Sequence, residues 1–258
     1  MRSLILKKVL WTLLLFALVA CGALALARQQ NHSAQSKTQQ GADKDHSMSA
    51  MSDTHHMEMG PHMKMTMLRP LQPGDQERAD EIVKIAHKEL EKYKDCKAAL
   101  ADGYKIFLPN VPQKVYHFTN NWYALKAEFT FDPVHPTSLL YEKTNDGYKL
   151  IGAMYTAPAR ATEDDLNKRV PLSIAQWHQH VNFCLPPSDK KQEMYGAHPR
   201  FGLAGSIATK EECDKAGGRF VPRIFGWMVH VYPYEKSSEE IWGLEHPMMN
   251  EQMMNMHH

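Results

Sequence analysis

The spacing of hydrophobic positions divides the chain into a helical part and a strand-rich part. Pro73-Gly74-Asp75 supplies a helix breaker and an N-cap, and apolar side chains then recur every three or four residues up to Asp102-Gly103. These apolar positions are Ala79, Ile82, Val83, Ala86, Leu90, Tyr93 and Leu100. The pattern predicts one amphipathic helix at the start of the folded domain.

Beyond Gly103 the spacing shortens and turn residues multiply, which is typical of β-strands. Strands are predicted at residues 114–118, 138–142, 148–155, 174–185 and 224–232. Asn145-Asp146-Gly147 predicts a hairpin turn, and capping sequences that begin at Thr162 and Thr209 predict two short helices. Because helices between the strands are too few for a doubly wound sheet, we expect an α+β fold. It would have a mainly antiparallel sheet or a partly closed barrel, an N-terminal amphipathic helix and short flanking helices.

Residues 1–27 have the form of an export signal, in which basic residues precede an apolar run at residues 9–20. The run ends in Leu18-Val-Ala-Cys21, which resembles the lipobox of bacterial lipoproteins, and the resemblance implies a lipid anchor on Cys21. Two alternatives stay open: cleavage at a small-residue site within residues 23–27, or retention of residues 9–27 as a single membrane anchor. All three place the domain in the cell envelope or periplasm.

The composition is that of a globular protein with two unusual residue types. Of 258 residues 43% are hydrophobic, and 30 Lys+Arg balance 29 Asp+Glu, so no nucleic acid partner is expected. The 16 Met and 15 His concentrate in residues 46–67 and in the tail from His246 onward. We therefore expect residues 28–70 to be a disordered Met/His-rich tether, residues 71–244 the globular domain and residues 245–258 a Met/His-rich tail.

Both Met/His tracts have the chemistry of a soft-metal site. Thioether sulfur is soft and imidazole is borderline, which suits copper or silver better than magnesium or calcium. Met-x-Met spacing lets neighbouring thioethers reach one ion, and such tracts resemble those of bacterial periplasmic copper-handling proteins. The candidate ligands are His55, His56, Met57, Met59, His62, Met63, Met65 and Met67 in the first tract, and Met253, Met254, Met256, His257 and His258 in the second.

A second group of candidate ligands lies inside the globular domain. His178 and His180 alternate along a predicted strand and therefore point to the same face of a sheet. The same alternation on the last strand places Met228 beside His230, a candidate third ligand, and His117 is a further candidate from a neighbouring strand. Three histidines with an open position would also suit zinc or iron. The structural alternative is that these are hydrogen-bonded core histidines.

The His-x-His strand followed by a later histidine resembles the cupin pattern, and that resemblance implies a metalloenzyme. Cys184 stands where cupins carry a metal-binding Glu, and a disulfide through Cys184 would remove it as a ligand. If Cys21 carries lipid, then Cys96, Cys184 and Cys213 remain in an oxidising compartment and allow three disulfide pairings, of which we favour Cys184 with Cys213.

A longer resemblance, from about residue 93 to residue 234, is to a family of exported bacterial α+β proteins. It rests on Ala101-Asp-Gly-Tyr104, on residues 131–142 and 147–155, and on Trp227-Met-Val-His-Val-Tyr-Pro233. The resemblance implies export and an α+β fold in which a Tyr-Glu hairpin precedes a late His-containing strand. It implies no reaction.

Together these patterns favour an exported, lipid-anchored protein that captures or buffers copper or silver in the cell envelope, rather than an enzyme. Two alternatives stay open. One is a cupin-like metalloenzyme with a site of His178, His180 and His230. The other is an envelope binding or assembly module without a metal function.

Overall fold

A computed structural model describes residues 60–247 of the chain. The strands of this part span Met63–Met65 (β1), Lys105–Ile106 (β2), Tyr116–Thr119 (β3), Ser138–Thr144 (β4), Gly147–Ala157 (β5), His178–Leu185 (β6) and Arg219–Val231 (β7). Its α-helices span Asp75–Leu90 (α1), Cys96–Ala101 (α2), Asn121–Ala127 (α3), Glu163–Arg169 (α4), Lys210–Lys215 (α5) and Ser238–Ile241 (α6). Two 3₁₀ segments lie at Glu91–Lys94 and Ser188–Met194.

The seven strands form one open sheet in the order β1-β6-β7-β5-β4-β3-β2, and every neighbouring pair is antiparallel. The expected α+β fold with a mainly antiparallel sheet is therefore confirmed. The hairpin predicted at Asn145-Asp146-Gly147 joins β4 to β5, and Thr162 and Thr209 form the capping boxes of α4 and α5. Among the described residues, no helix has the length and apolar character needed to cross a bilayer.

The predicted N-terminal helix begins at the expected place but is interrupted. After Leu90 the chain passes into the 3₁₀ segment, and Asp95 then adopts an extended conformation with φ −85° and ψ 108°. The Asp95 side chain accepts a hydrogen bond from the backbone N–H of Lys97 and so starts a new helix, α2. A cap inside the helical pattern therefore divides the predicted helix into two.

The folded domain starts earlier than the sequence predicted. The expected boundary was residue 71, yet β1 lies upstream of it and pairs with β6 as an edge strand. Thr66 extends this attachment, because its backbone N–H donates to the carbonyl of Trp177 at 2.9 Å. The end of the predicted tether is therefore part of the sheet. The predicted strand at 174–185 is shorter than expected and starts at His178, since Ile174 and Ala175 donate to the carbonyl of Pro171 in a turn.

The favoured disulfide is present. Cys184 at the end of β6 is bonded to Cys213 in α5, with Cα atoms 5.7 Å apart. Both cysteines belong to a small apolar cluster with Phe201, Ile207 and Ala216, apart from the main core. The disulfide therefore fastens the loop between β6 and β7 to the sheet.

The two faces of the sheet differ in character. One face packs against α1 and α2 in the main apolar core, where Leu90, Tyr141 and Val229 are buried. The opposite face carries a smaller apolar cluster of Leu140, Ile151, Met154, Met228 and Tyr232. Alternation along β7 places His230 on this second face, between Met228 and Tyr232.

The sheet curls around this second face. His117 on β3 and His230 on β7 are three strand spacings apart, which is roughly 14 Å in a flat sheet. Their ring centroids are only 5.9 Å apart. Phe107, next to the edge strand β2, likewise contacts Phe225 of β7, with ring centroids 5.7 Å apart. The second face is therefore concave.

Two irregularities accommodate the curl. The β4–β5 pairing shifts register between Leu140 and Tyr141, and a β-bulge of this kind bends a strand and increases its twist. Near the bulge, Gly152 lets β7 approach closely, because a Cβ there would lie 2.7 Å from Cδ1 of Tyr232. Around Phe225, where φ is 63°, β7 shifts register against β6.

Candidate metal centre

Four histidines form a row across the concave face. His180 and His178 come from β6, His230 from β7 and His117 from β3. The ring centroids of successive members are 5.7 Å (His180 to His178), 4.9 Å (His178 to His230) and 5.9 Å (His230 to His117) apart. The structure therefore brings together His178, His180 and His230 with the further candidate His117.

Methionines stand directly opposite three of these histidines. The β1–β6 register pairs Met63 with His180 and Met65 with His178. On its other side His178 pairs with Met228 of β7, while His230 pairs with Met154 of β5. Residues directly opposite in an antiparallel pair share a face, with Cβ atoms about 4.5–5.5 Å apart. Thioethers therefore line the imidazole row on both sides.

Burial keeps the imidazoles of the row neutral. Desolvation lowers the pKa of His117 to about 4 and that of His230 to about 3. It also lowers the pKa of His180, and it places the pKa of His178 well below its usual range. Repulsion between neighbouring histidines acts in the same direction. Since a metal binds the neutral imidazole, these histidines are in the form a ligand needs.

A backbone hydrogen bond orients His230. Its Nδ1 lies 2.7 Å from the carbonyl oxygen of Leu244. Because a carbonyl only accepts, Nδ1 carries the proton and Nε2 of the neutral ring keeps its lone pair. Metal-binding histidines commonly donate their second nitrogen to a carbonyl in this way.

His62 serves a different role from the one the sequence predicted. Its side chain is buried, with Nδ1 3.0 Å from the carbonyl of Asn182 and Nε2 2.6 Å from the carbonyl of Gly205. With both ring nitrogens against backbone carbonyls, His62 has no free lone pair for a metal in this arrangement. It instead anchors the start of β1 to Asn182 of β6 and to Gly205 in the loop after β6.

The other predicted ligands of the tracts lie elsewhere. Met67 follows β1 and is 76% exposed. Cys21 and the remaining candidates fall outside the described residues, namely His55, His56, Met57, Met59, Met253, Met254, Met256, His257 and His258. Cys184 and Cys213 are joined in the disulfide.

The imidazoles of the row lie close enough for neighbouring pairs to bind one metal ion. Within residues 60–247, no group of three or more His, Cys, Asp or Glu side chains is placed to hold a metal ion. Two imidazoles that bind one ion through nitrogens about 2.0 Å from it hold their ring centroids about 5 Å apart in tetrahedral geometry and about 5.5 Å apart in trigonal geometry. The His178–His230 distance of 4.9 Å is close to the tetrahedral value, and the 5.7 Å and 5.9 Å of the other two pairs correspond to an angle at the ion somewhat wider than trigonal. Each pair then needs a further ligand, and the opposing thioethers can supply it.

Sequence reasoning found part of this arrangement. Strand alternation placed His178 with His180 and Met228 with His230. From the sequence His117 is only a further candidate and Met154 is not a candidate, because both reach the row through the curl and the strand order. A methionine in a strand cannot be recognised as a candidate ligand until the strand that pairs with it is known.

Comparison of the chain with models of protein families, with curated proteins and with solved structures finds no match. The class of site is therefore defined by its own residues: a concave, partly buried face lined by neutral imidazoles and thioethers.

Proposed function

We propose that this protein captures copper(I) or silver(I) in the cell envelope, at a site formed where β1 pairs with β6. We name this site the edge site, and its ligands are Met63, Met65, His178, His180 and Met228. Its role is to bind or buffer the ion, without a reaction.

The observation that carries this proposal is the register of β1 on β6. The sequence offered two separate groups of ligands, a Met-rich tract and a His-x-His strand. The structure sets Met63 opposite His180 and Met65 opposite His178. The two groups of candidate ligands, which are separate in the sequence, therefore lie side by side on one sheet face.

The charge of the ligand set favours a monovalent ion. Neutral imidazoles and thioethers bring no negative charge to offset that of a bound cation. The cost of burying an ion rises with the square of its charge, so a divalent ion costs about four times as much as a monovalent one. Soft thioether ligands also select Cu(I). The site thus suits Cu(I) and Ag(I) better than zinc or iron.

Envelope location is part of the proposal. It rests on the export signal and the lipobox-like Leu18-Val-Ala-Cys21, and it is supported by the Cys184–Cys213 disulfide, since disulfides persist in oxidising compartments. Cell fractionation of the wild type and a Cys21→Ser variant tests it. We expect the wild type in the membrane fraction with lipid on Cys21, as measured by incorporation of labelled palmitate, and no incorporation in the variant. Wild-type protein in the cytoplasm would contradict the proposal.

The metal claim is tested by Cu(I) competition with bicinchoninate under ascorbate, using the full chain. Leucine replaces methionine with little change in volume, so Met63→Leu/Met65→Leu removes two thioethers while keeping β1. We expect the first equivalent of Cu(I) to bind at least about tenfold more weakly, a loss of about 1.4 kcal/mol.

The matched control is Met194→Leu, which changes a methionine packed in the separate disulfide-bonded cluster. It should bind the first equivalent as the wild type does. Equal affinity in the wild type and the double variant would contradict the edge site, and no binding of Cu(I) by the wild type would contradict the function.

The cupin-like alternative gains no support from Cys184. In that resemblance Cys184 takes the position of a metal-binding Glu, but its sulfur is bonded to Cys213.

A further inference from the structure

The end of the imidazole row that lies farther from β1 has the residues of a separate metal site. His230 and His117 are neighbours there, with ring centroids 5.9 Å apart. Met154 stands directly opposite His230 in the β5–β7 pair and is only 7% exposed. These residues come from β3, β5 and β7, whereas the edge site is built on β1, β6 and one residue of β7.

We infer that His117, His230 and Met154 form a second site for a soft monovalent cation, Cu(I) or Ag(I), which we name the inner site. The inference rests on the proposed function, since it extends the same chemistry to further residues. It gives the concave face a capacity of two ions.

The ligand set fits a three-coordinate soft ion. Two imidazoles sharing an ion at about 2.0 Å with a wide angle between them place their ring centroids between about 5.5 and 6 Å apart, and the His117–His230 pair falls in that range. The hydrogen bond from Nδ1 of His230 to Leu244 leaves Nε2 as the donor atom. Met154 adds a soft thioether from the opposite strand.

Apolar side chains pack around Met154 on one side of the inner site, whose two histidines are partly exposed. Leu140, Ile151 and Tyr232 are buried and belong to the same apolar cluster as Met154. Tyr232 also places its hydroxyl 3.5 Å from Nδ1 of His230. An ion bound in this environment exchanges its water for fixed imidazole and thioether ligands.

The two sites should fill unequally. His178 and His230 are adjacent, with ring centroids 4.9 Å apart, so ions in the edge and inner sites repel each other at short range. Met63 and Met65 of the edge strand β1 are partly exposed, whereas Met154 of the inner site is buried. We therefore expect the edge site to fill first and the inner site in a second step.

The test is a titration of the full chain with Ag(I), which needs no reductant, followed by NMR of ¹⁵N-labelled histidine rings. In the wild type, His178 and His180 should shift in the first step and His117 and His230 in a later one. Met154→Leu should weaken that later step at least about tenfold and leave the first step unchanged. His117→Gln should abolish the later shift of His230.

The matched control is His198→Gln, which changes a histidine in the loop after β6 and should alter neither step. If His117 and His230 stay unshifted while His178 and His180 saturate, the inner site is wrong and the edge site stands. The inner site is also wrong if Met154→Leu and His117→Gln both titrate as the wild type does. If no histidine of the row responds to Ag(I), the inference and the proposed function both fail.

Discussion

Met65 and His178 lie directly opposite each other across the edge pair of the sheet. One belongs to a low-complexity Met/His tract and the other to a strand of the folded core. Because the strand containing His178 also pairs with β7, the same histidine faces Met228 on its other side. Part of the Met/His tract is thereby included in the sheet, where its thioethers are held in register with the imidazoles of His178 and His180.

The curl of the sheet should depend on Gly152. A Cβ at this position would collide with the backbone carbonyl of Val231 and lie 2.7 Å from Tyr232. We expect Gly152→Ala to lower the free energy of unfolding by about 1–3 kcal/mol, the usual cost of overpacking, as measured by urea denaturation. Gly60→Ala is the matched control, because nothing lies within 4 Å of a Cβ there. Equal stability of the two variants would contradict this account of the curl.

The disulfide should stabilise the domain without taking part in metal binding. Cys184 and Cys213 are 29 residues apart, and closing a loop of this length contributes about 3–4 kcal/mol through the unfolded state. The Cys184→Ala/Cys213→Ala variant should unfold at lower urea concentration and still bind the first equivalent of Cu(I) with wild-type affinity, when assayed below its unfolding transition. Loss of the metal from the folded variant would instead favour a ligand role for Cys184.

Stability should fall as the pH drops below about 6.5. The pKa of His117 is about 4 and that of His230 about 3 in the folded protein, whereas an unfolded histidine has a pKa of about 6.5. Between these values the unfolded state binds more protons, so acid favours unfolding. Each histidine should remove about 1 kcal/mol of unfolding free energy per pH unit between about pH 6 and pH 4.

Urea denaturation at several pH values measures this slope. The slope should be smaller in His117→Gln, which has lost one of the titrating groups. An unchanged slope in that variant, or a stability independent of pH in the wild type, would contradict the buried neutral state of the row.

The sequence predicted local features well and the site only in part. The turn at Asn145-Asp146-Gly147 and the caps at Thr162 and Thr209 depend on a few neighbouring residues, so they can be recognised without the fold. The strand pair of His178 and His180 follows from alternation alone.

The features that the sequence does not predict depend on contacts between distant parts of the chain. Three residues of a polar tract become β1 only because β6 offers an unpaired edge and His62 anchors the segment to two carbonyls. His117 reaches His230 only because a bulge and a glycine curl the sheet. Neither the pairing of β1 at the sheet edge nor the curl of the sheet can be predicted from the spacing of residues along the chain.

The most direct test of the account is NMR of the full chain with ¹³C-labelled methionine methyl groups, during addition of Ag(I) up to one equivalent. Single Met→Leu variants assign the signals. If the pairing of β1 with β6 creates the preferred soft-metal site, the methyl signals of Met63, Met65 and Met228 shift in step, ahead of those of Met253, Met254 and Met256. If the tail methionines shift first, or if Met63 and Met65 do not respond, the central claim is contradicted.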